Sequence, residues 1–319
     1  MGCCIIDADI IVGVQKMGPV KVILNPIAGR GYGARSEVNL RRYLHAEGVD
    51  FDLVRTQGPG HAIELAAEAA NGEFELIVAA GGDGTTHEVV NGLMSASGAN
   101  GDVVGTLGVI PVGSGSDFAN AMNIPPNLEG ACRQLARGQA RLVDVCRVTV
   151  DEQPPRYFDN TVNIGFGGMV TFEAQKVKWV RGKALYLPVV LKTIFQSHAP
   201  NVTITYDGQS VTLTAAMICV GNGPREGGGF YSTPNAQPDD GLLDVCIVRD
   251  MGRLAMLGFV PRFMNGSHVG QKSVTMSRTE SLVVTSEDNL IAHVDGEMLC
   301  TEAHRLAFDV LPQKLRVWC

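Results

Sequence analysis

Short apolar runs and amphipathic stretches alternate along the first half of the chain. The apolar runs occupy positions 20–24, 51–55, 76–80 and 107–111. Between them, apolar residues recur at helical spacing, as Leu40 and Leu44 do within residues 36–47, and an alanine-rich stretch follows His61. Strands that alternate with helices at this interval predict a doubly wound parallel sheet. We therefore expect an N-terminal α/β domain over residues 17–146.

The pattern of apolar residues changes near residue 146. Alternating stretches rich in β-branched residues recur through residues 147–307, and Asp207-Gly208 joins two of them as a hairpin. This pattern predicts a second, mostly antiparallel β domain. Two helical stretches, near residues 168–181 and 183–197, interrupt it. The second of these helices is apolar on more than one face, which is typical of a helix packed in a core and is also compatible with a slot for an acyl chain.

Glycine-rich turns follow three of the four predicted strands of the first half. They occupy residues 25–33, 81–85 (Gly-Gly-Asp-Gly-Thr) and 112–119. In open α/β sheets ligands bind outside the carboxyl ends of the strands, and glycine lets the backbone approach a phosphate closely. A carboxylate such as Asp83 in this position suits a site where Mg²⁺ or a transferring hydroxyl proton lies beside the phosphate. The turns therefore predict nucleotide phosphate chemistry, although neither Walker nor dinucleotide-binding glycine motifs are present.

Composition narrows the expected partners and compartment. The 319-residue chain has a formal net charge of −7, which argues against a nucleic-acid partner. Its eight cysteines form no C-x-x-C pair, and we interpret them as free thiols in a reducing, cytoplasmic compartment. The sequence has no apolar run of 18 residues, so no transmembrane helix is predicted. Residues 1–16 are interpreted as an extension ahead of the fold, and whether they are native or functional is left open.

Five motifs, in this order along the chain, resemble those of the diacylglycerol kinase catalytic family, specifically the soluble bacterial lipid kinases related to sphingosine and ceramide kinases. They are Asn-Pro-Ile-Ala-Gly at 25–29, the turn at 81–85, Pro-Val-Gly-Ser-Gly-Ser-Asp-Phe-Ala at 111–119, Pro-Asp-Asp-Gly-Leu-Leu-Asp-Val at 238–245 and Val-Asp-Gly-Glu at 294–297. The resemblance covers residues 19–319. It departs from the family pattern at Ser116 and Asn120, where Asn and Arg are usual.

The resemblance implies an enzyme that transfers the γ-phosphoryl group of ATP to a lipid hydroxyl. Its fold would place the active site in a cleft between the two domains, with a C-terminal segment of about residues 308–319 returning to the first domain. The lipid would be diacylglycerol or a sphingosine- or ceramide-like molecule, met at a membrane surface by an enzyme peripheral to the membrane. A homodimer is also considered. The identity of the lipid and the oligomeric state stay open.

The same resemblance assigns ATP and its Mg²⁺ and water network to the turns of the first domain. The residues expected to contribute are Asn25, Pro26, Ile27, Ala28, Gly29, Arg30, Thr56, Gly82, Asp83, Gly84, Thr85, Thr86, His87, Glu88, Ser114, Asp117 and Asp144. Arg30 is a natural clamp for a phosphate.

Catalytic and metal residues are expected at two further turns. Asp295 and Glu297 flank a glycine, and we expect this pair to supply the general base, with Asp83 as a third catalytic carboxylate. The sequence does not separate the two members of the pair. The resemblance also implies a structural Mg²⁺ held by the Asp240 side chain and the carbonyls of Gln237 and Leu242.

Two alternatives are left open by the sequence. The first is a kinase of a soluble substrate such as NAD, because such kinases share the Gly-Gly-Asp-Gly turn. The second is a non-catalytic regulator that binds a nucleotide on the same fold.

On the acceptor side, Phe259, Phe263 and Met264 in a later helical stretch are candidates to contact an acyl chain.

Overall fold

A computed structural model describes residues 18–97, 105–113, 115–176, 183–196 and 198–319 of the chain. The extension expected at residues 1–16, Ser114 and the end of the helix expected at 168–181 lie outside the described residues.

Four parallel strands with intervening helices form the first half. The elements are β1 (Val20–Leu24), α1 (Ala28–Ala46), β2 (Phe51–Arg55), α2 (His61–Asn71), β3 (Leu76–Gly81), α3 (Asp83–Ala96), β4 (Thr106–Pro111), α4 (Asp117–Ala121) and α5 (Leu128–Arg137). The strands lie side by side in the order β2-β1-β3-β4, and each neighbouring pair is parallel. Every residue of β3 and β4 is buried, as expected for continuous apolar strands covered by helices on both faces. The three glycine turns and the end of β2 therefore lie at the same edge of the sheet.

Helix α1 begins earlier than the sequence predicts, at Ala28 rather than near Ser36. Its first turn is broken by Gly29, Arg30 and Gly31, which have φ values of 56°, 59° and 79°. Glycine adopts such left-handed conformations without a steric penalty, so the glycine turn is folded into the beginning of the helix.

The second half is built mainly from antiparallel strands. Its elements are β5 (Ala140–Val150), β6 (Arg156–Phe158), β7 (Thr161–Gly165), α6 (Phe166–Lys176), α7 (Lys183–Gln196), β8 (Asn201–Tyr206), β9 (Gln209–Gly221), β10 (Leu243–Arg249), α8 (Arg253–Asn265), β11 (Val274–Thr279), β12 (Ser281–Val294) and β13 (Glu297–Trp318). The hairpin expected at Asp207-Gly208 joins β8 to β9, with φ values of 49° and 72° at its two central residues.

Strand β13 runs through both halves of the molecule. Near its beginning it pairs antiparallel with β12, and near its end Val317 and Trp318 pair parallel with Leu107 and Gly108 of β4. Its residues are buried in the apolar core of the second half at Leu306 and in that of the first half at Val317. Strand β5 pairs with β13 over most of this length. The two halves thus share one 13-stranded sheet.

Helices α6, α7 and α8 pack together on the second half, where Val170, Val189 and Ile194 are buried against Met256 and Val260. None of the helices within the described ranges is long and apolar enough to cross a membrane.

Candidate active site

The glycine turns after β1, β3 and β4 touch one another at the carboxyl ends of the strands. A Cβ placed on Gly113 would lie 2.9 Å from the amide nitrogen of Gly82. One placed on Gly29 would lie 2.5 Å from the carbonyl oxygen of Val112. Backbone from three turns therefore meets where no side chain can fit. Gly82 is also the N-cap of α3, whose first amide groups have no partner inside the helix, so this is a place suited to an anion.

Asn25 links two of these turns. Its side-chain amide donates to Oγ1 of Thr85 over 3.0 Å, and its Oδ1 accepts from the amide of Ile27 over 3.1 Å. The carbonyl of Gly81 accepts from the amides of the two residues that follow β4, over 2.9 and 3.0 Å. The shape of the turns is therefore fixed by hydrogen bonds within the protein.

Other residues expected at the nucleotide border these turns. Ile27 and Arg30 are exposed, and Thr56 follows β2 with its amide donating to the carbonyl of Leu24 over 2.9 Å. Thr86 is buried in the first turn of α3. These positions all lie at the ends of β1, β2 and β3.

Asp83 and Asp117 place two carboxylates beside the turns. Asp83 accepts from the amide of Phe118 over 3.3 Å. Asp117 is buried, lies 3.0 Å from Nε of Arg225 and accepts from the amide of Gly228 over 2.7 Å. Burial and then the negative charge of Asp117 raise the pKa of Asp83 to about 6. An acid with this pKa changes charge near neutral pH, as a group that exchanges a proton or faces a cation should.

Asp295 lies beneath the surface of the site. Its side chain is 0% exposed. Its Oδ1 accepts from the amides of Asn160 and Thr161 over 3.2 and 2.8 Å. Its Oδ2 accepts from the amide of Asp159 over 3.3 Å and contacts Nδ1 of His87 over 2.8 Å. Both oxygens are thus engaged within the protein.

A chain of contacts joins Asp295 to Glu297 through His87 and Arg156. Nε of Arg156 donates to Nε2 of His87 over 2.9 Å, and Nη2 pairs with Glu297 over 2.6 Å. Because a guanidinium can only donate, Nε2 of His87 accepts and the ring proton is assigned to Nδ1. Nδ1 of His87 then donates to Asp295.

Burial and hydrogen bonding determine which of two neighbouring acids, Asp295 and Asp159, carries a negative charge. Burial raises the pKa of Asp295, but the hydrogen bond and electrostatic attraction of His87, together with the hydrogen bond from Thr161, outweigh it and leave the pKa below its ordinary value. Burial and the charge of Asp295 raise the pKa of Asp159 well above its ordinary value. Asp295 therefore carries the negative charge of this pair, and Asp159 carries the proton.

Glu297 is the accessible member of the Asp-Gly-Glu pair. Its side chain is 38% exposed. A Cβ placed on Gly84 would lie 2.9 Å from its Oε1, so the carboxylate lies against the first turn of α3. The structure thus separates two acids that the sequence could not distinguish, because Glu297 reaches the turn after β3 whereas Asp295 is buried beneath it.

Three residues expected at the nucleotide have side chains committed elsewhere. His87 is buried between Asp295 and Arg156. The carboxylate of Glu88 accepts from the amides of Gly60 and Ala62 over 2.8 and 3.1 Å, at the beginning of α2. Asp144 lies at the acidic turn described next. The side chains of His87, Glu88 and Asp144 thus have hydrogen-bond partners within the protein, and their contact with the nucleotide stays a prediction.

The acidic turn at residues 237–242 is held by Asp144. This buried carboxylate accepts from the amides of Gly241 and Gln313 over 2.7 and 2.8 Å. Burial raises its pKa, and so do the negative charges of Asp240 and Asp239, although the two hydrogen bonds oppose the shift.

Each carboxylate of the turn also has a cationic partner. Asp240 pairs with Arg278 and accepts from the amide of Leu242 over 3.1 Å, while Asp239 pairs with Arg141. No group of three or more His, Cys, Asp or Glu side chains in the described ranges is arranged to hold a metal ion. A metal at this turn would therefore need backbone carbonyls as well as Asp240.

An apolar cavity lies on the second half, among α6, α7, α8, β9 and β10. Its empty volume is ≈ 630 Å³ including the open mouth. Its apolar wall includes Phe166, Val170, Val190, Met217, Phe259 and Phe263. Two of the residues expected to contact an acyl chain, Phe259 and Phe263, thus line it, whereas Met264 is exposed. Asn163 and Glu226 are the polar residues of the lining.

Several residues of this site carry no signal in the sequence. Arg156, Asp159, Arg225 and Glu226 lie in no recognisable motif, and each acquires its partner only through folding. The one usable hint is that Glu226 precedes three consecutive glycines.

Comparison with known proteins identifies the family. Residues 19–148 match the family described as the diacylglycerol kinase catalytic domain, and residues 160–319 match the YegS C-terminal NAD kinase beta sandwich-like domain. A protein of Yersinia enterocolitica named "Probable lipid kinase YegS-like" is 30% identical over 298 residues, which cover 92% of this chain and 95% of that protein. A diacylglycerol kinase of Bacillus subtilis is 29% identical over 286 residues, 88% of this chain and 90% of that protein.

A crystal structure of a diacylglycerol kinase from Bacillus anthracis superimposes with a TM-score of 0.71 at 25% sequence identity, covering 95% of this chain and 97% of that one. The prediction of an ATP-dependent lipid kinase is thereby confirmed over the two alternatives, the kinase of a soluble substrate and the non-catalytic regulator. The chain, with a diacylglycerol kinase catalytic domain followed by a YegS-type C-terminal domain, belongs to the diacylglycerol kinase family of lipid kinases.

Proposed function

We propose that this lipid kinase phosphorylates its substrate in a cleft between the two halves, where Glu297 meets the first turn of α3. The hydroxyl oxygen of the lipid attacks the γ-phosphorus of ATP. A new P–O bond forms to the lipid as the bond to the bridging β,γ-oxygen breaks, and ADP leaves with that electron pair. The hydroxyl proton passes to a carboxylate. The touching glycine turns support this assignment, because they offer backbone amides to the phosphates.

We assign the general base to Glu297 and a positioning role to Asp295. The single observation that carries this assignment is the chain of contacts from Glu297 through Arg156 and His87 to the buried Asp295. Glu297 is exposed beside Gly84, so it can reach a bound hydroxyl. Asp295, with both oxygens engaged, orients His87 and through it Arg156.

Asp83 is proposed to act on the nucleotide side. Its carboxylate lies at the beginning of α3 with a pKa near 6, so it is largely ionised at neutral pH and can face the Mg²⁺ that accompanies ATP. Asn25, Gly29, Arg30, Thr85 and the other residues of the three turns complete the proposed ATP site. Ser114 keeps the role in phosphate binding that the sequence predicts.

A structural Mg²⁺ fits the acidic turn. The carboxylate of Asp240 and the carbonyls of Gln237 and Leu242 are hard oxygen donors, and the carboxylates of Asp144, Asp239 and Asp244 add negative charge nearby. An ion at this turn would share Asp240 with Arg278. When bound, it would stabilise the turn that Asp144 joins to β5.

The lipid tail is proposed to occupy the apolar cavity. Beside it, Leu191 and Phe195 of α7 and Leu254 and Met264 of α8 are exposed. Exposed apolar side chains on paired helices favour contact with a membrane surface, in keeping with a peripheral enzyme of the cytoplasm. A homodimer stays a prediction, which sedimentation at several protein concentrations would test.

The assignment of the base is tested by comparing Glu297→Gln with Asp295→Asn. Glu297→Gln should lower kcat by about a hundredfold or more, since it removes the proton acceptor and keeps the shape of the side chain. ATP affinity and melting temperature should change little, because the partly exposed ion pair with Arg156 contributes little to stability. Asp295→Asn should lower the free energy of unfolding by about 3 kcal/mol, because the amide places N–H groups against buried donors. Near-normal kcat in the purified Glu297→Gln enzyme would contradict the assignment of Glu297.

A further inference from the structure

Glu226 is a carboxylate on the wall of an otherwise apolar cavity. Its Oε1 accepts from Nδ2 of Asn163 over 2.8 Å, and its Oε2 accepts from Oγ1 of Thr161 over 3.1 Å and lies 3.5 Å from Nε2 of His293. Among the residues that the structure describes, no lysine or arginine forms an ion pair with it. Asn163 and Thr161 each supply one donor, and because a carboxylate has about four lone-pair sites, Glu226 keeps acceptor capacity for a ligand.

Asn163 adds a second acceptor at the same end of the cavity. The residue is 1% exposed, and because its NH₂ group faces Glu226, the atom left over is Oδ1. That oxygen is buried without a hydrogen-bond partner. Gly167 leaves room for this side chain, since a Cβ there would lie 2.5 Å from Nδ2 of Asn163. The cavity is thus apolar along its length and rich in acceptors at one end.

The acceptor-rich end adjoins the proposed transfer site. Arg225, one position before Glu226, and Gly228, two positions after it, both contact Asp117, whose negative charge acts on Asp83 in the turn after β3. A lipid whose tail fills the cavity would therefore present its polar head between Glu226 and the nucleotide turns.

We propose that Glu226 and Asn163 make this kinase select lipids that carry a hydrogen-bond donor in addition to the hydroxyl that is phosphorylated. The inference rests on the proposed lipid site. A carboxylate and a carbonyl oxygen can only accept, so they bind a second hydroxyl, an amide N–H or an ammonium group. They repel the carbonyl oxygens of ester groups. A 1,2-diacylglycerol has a single hydroxyl, which is consumed in the reaction, and otherwise only ester acceptors. A monoacylglycerol keeps one hydroxyl, which can donate to Glu226 or to Asn163. A sphingoid lipid keeps a hydroxyl and an amide N–H or ammonium group, which can satisfy both.

A matched pair of lipids tests this selectivity directly. The probes are 1-O-octylglycerol and its 2-O-methyl ether, which differ by one donor, with sn-1,2-dioctanoylglycerol as the third substrate. Binding of each to the full chain and its phosphorylation with ATP and Mg²⁺ are measured separately. We expect octylglycerol to exceed the methyl ether by about tenfold or more in both affinity and kcat/KM, because a site built to accept a hydrogen bond rejects an analogue that lacks the donor.

Two variants of Glu226 connect the selectivity to this residue. Glu226→Met should abolish the preference for octylglycerol. Glu226→Gln keeps the shape of the side chain and the hydrogen bond from Asn163, so it should fold even if the Met variant does not. It should reduce the preference for octylglycerol by about threefold or more, because the hydrogen bond between the lipid and a charged carboxylate is lost. Glu173→Gln is the matched control, since Glu173 pairs with Lys176 and Lys192 away from the cavity lining and the preference should be unchanged.

Each outcome separates this inference from the proposed function. Equal binding of octylglycerol and its methyl ether, or a preference that survives in both Glu226 variants, would overturn the role of Glu226. Selective binding that depends on Glu226, without phosphorylation of any lipid, would support the selectivity and contradict the proposed transfer site.

Discussion

The proposed nucleotide side and the proposed acceptor side of this site differ in what forms them, backbone in the first and long side chains in the second. On the nucleotide side, three glycine turns meet backbone against backbone, and Asn25 is the principal side chain that links them. On the acceptor side, a chain of long side chains, from Glu297 through Arg156 to His87, spans the space between the two halves. The first region depends on glycines that have no side chain, and the second depends on contacts between charged and polar side chains.

This difference teaches how each region should respond to substitution. A backbone-built region fails when an atom is added, because its neighbours cannot move away. A side-chain region fails when a charged or polar atom is removed, because its partner is left unpaired. The predictions below test this contrast.

The largest effect is expected from Gly113→Ala. A Cβ at this position would lie 2.9 Å from the amide nitrogen of Gly82 and closer still to its Cα, so the turns after β3 and β4 must separate. ATP affinity and kcat/KM should fall by about a thousandfold, as expected when reacting groups lose their alignment. Gly58→Ala is the control, because a Cβ on Gly58 would meet nothing within 4 Å and should change neither quantity. Retained ATP affinity in Gly113→Ala would show that the turns do not need to touch.

An intermediate effect is expected from Asp83→Asn, which should lower activity and raise stability near pH 8. The variant should lose about a hundredfold in kcat, as for other charged groups that act at a transferring phosphate. The pKa of Asp83 is raised to about 6 in the folded chain, so the native state binds its proton more tightly than the unfolded state does. The stability of the wild type should therefore fall as pH rises from about 4 through 6.

Removal of this charge should make the variant melt about 2–4 °C higher than the wild type near pH 8, with no difference near pH 4. Melting curves at the two pH values measure this shift, and Asp50→Asn, at an exposed position, is the control. A variant less stable than the wild type near pH 8 would show that the carboxylate of Asp83 is satisfied in the fold.

The smallest effect is expected from Asp240→Ala at the acidic turn. This substitution should lower the melting temperature by about 2–4 °C in the presence of Mg²⁺ and reduce activity only indirectly. Asp239→Ala removes a carboxylate from the same turn without removing the proposed ligand, so it should keep the Mg²⁺ dependence of melting. Equal Mg²⁺ dependence in Asp240→Ala and the wild type would show that the turn holds no metal.

The two regions also differ in how far the sequence predicts them. Each of the glycine turns at 25–33, 81–85 and 112–119 is a contiguous segment, and the strands before them have continuous apolar runs. Both the α/β pattern and the place of the turns at one edge of the sheet could therefore be inferred. The beginning of α1 was placed too late because left-handed glycines inside a helix resemble a plain turn.

The acceptor side could be inferred only in part. Asp295 and Glu297 are two positions apart and look equivalent in the sequence. What separates them is burial and the contact between His87 and Asp295, residues 208 positions apart. Arg156 carries no local signal, since an isolated charged residue is usually solvated and only the folded chain shows its partner. For Glu226 the only local signal is the run of three glycines that follows it.

The path of β13 has a consequence for the order in which the molecule can be assembled. Val317 and Trp318 supply the strand beside β4, and Leu315 and Val317 fill part of the core of the first half. During synthesis the ribosome makes β4 about two hundred residues before this strand, at a rate of roughly 5–20 residues per second. While the second half is translated, the β4 edge of the nascent first half therefore has no neighbouring strand, and an uncovered edge of this kind can pair with another molecule.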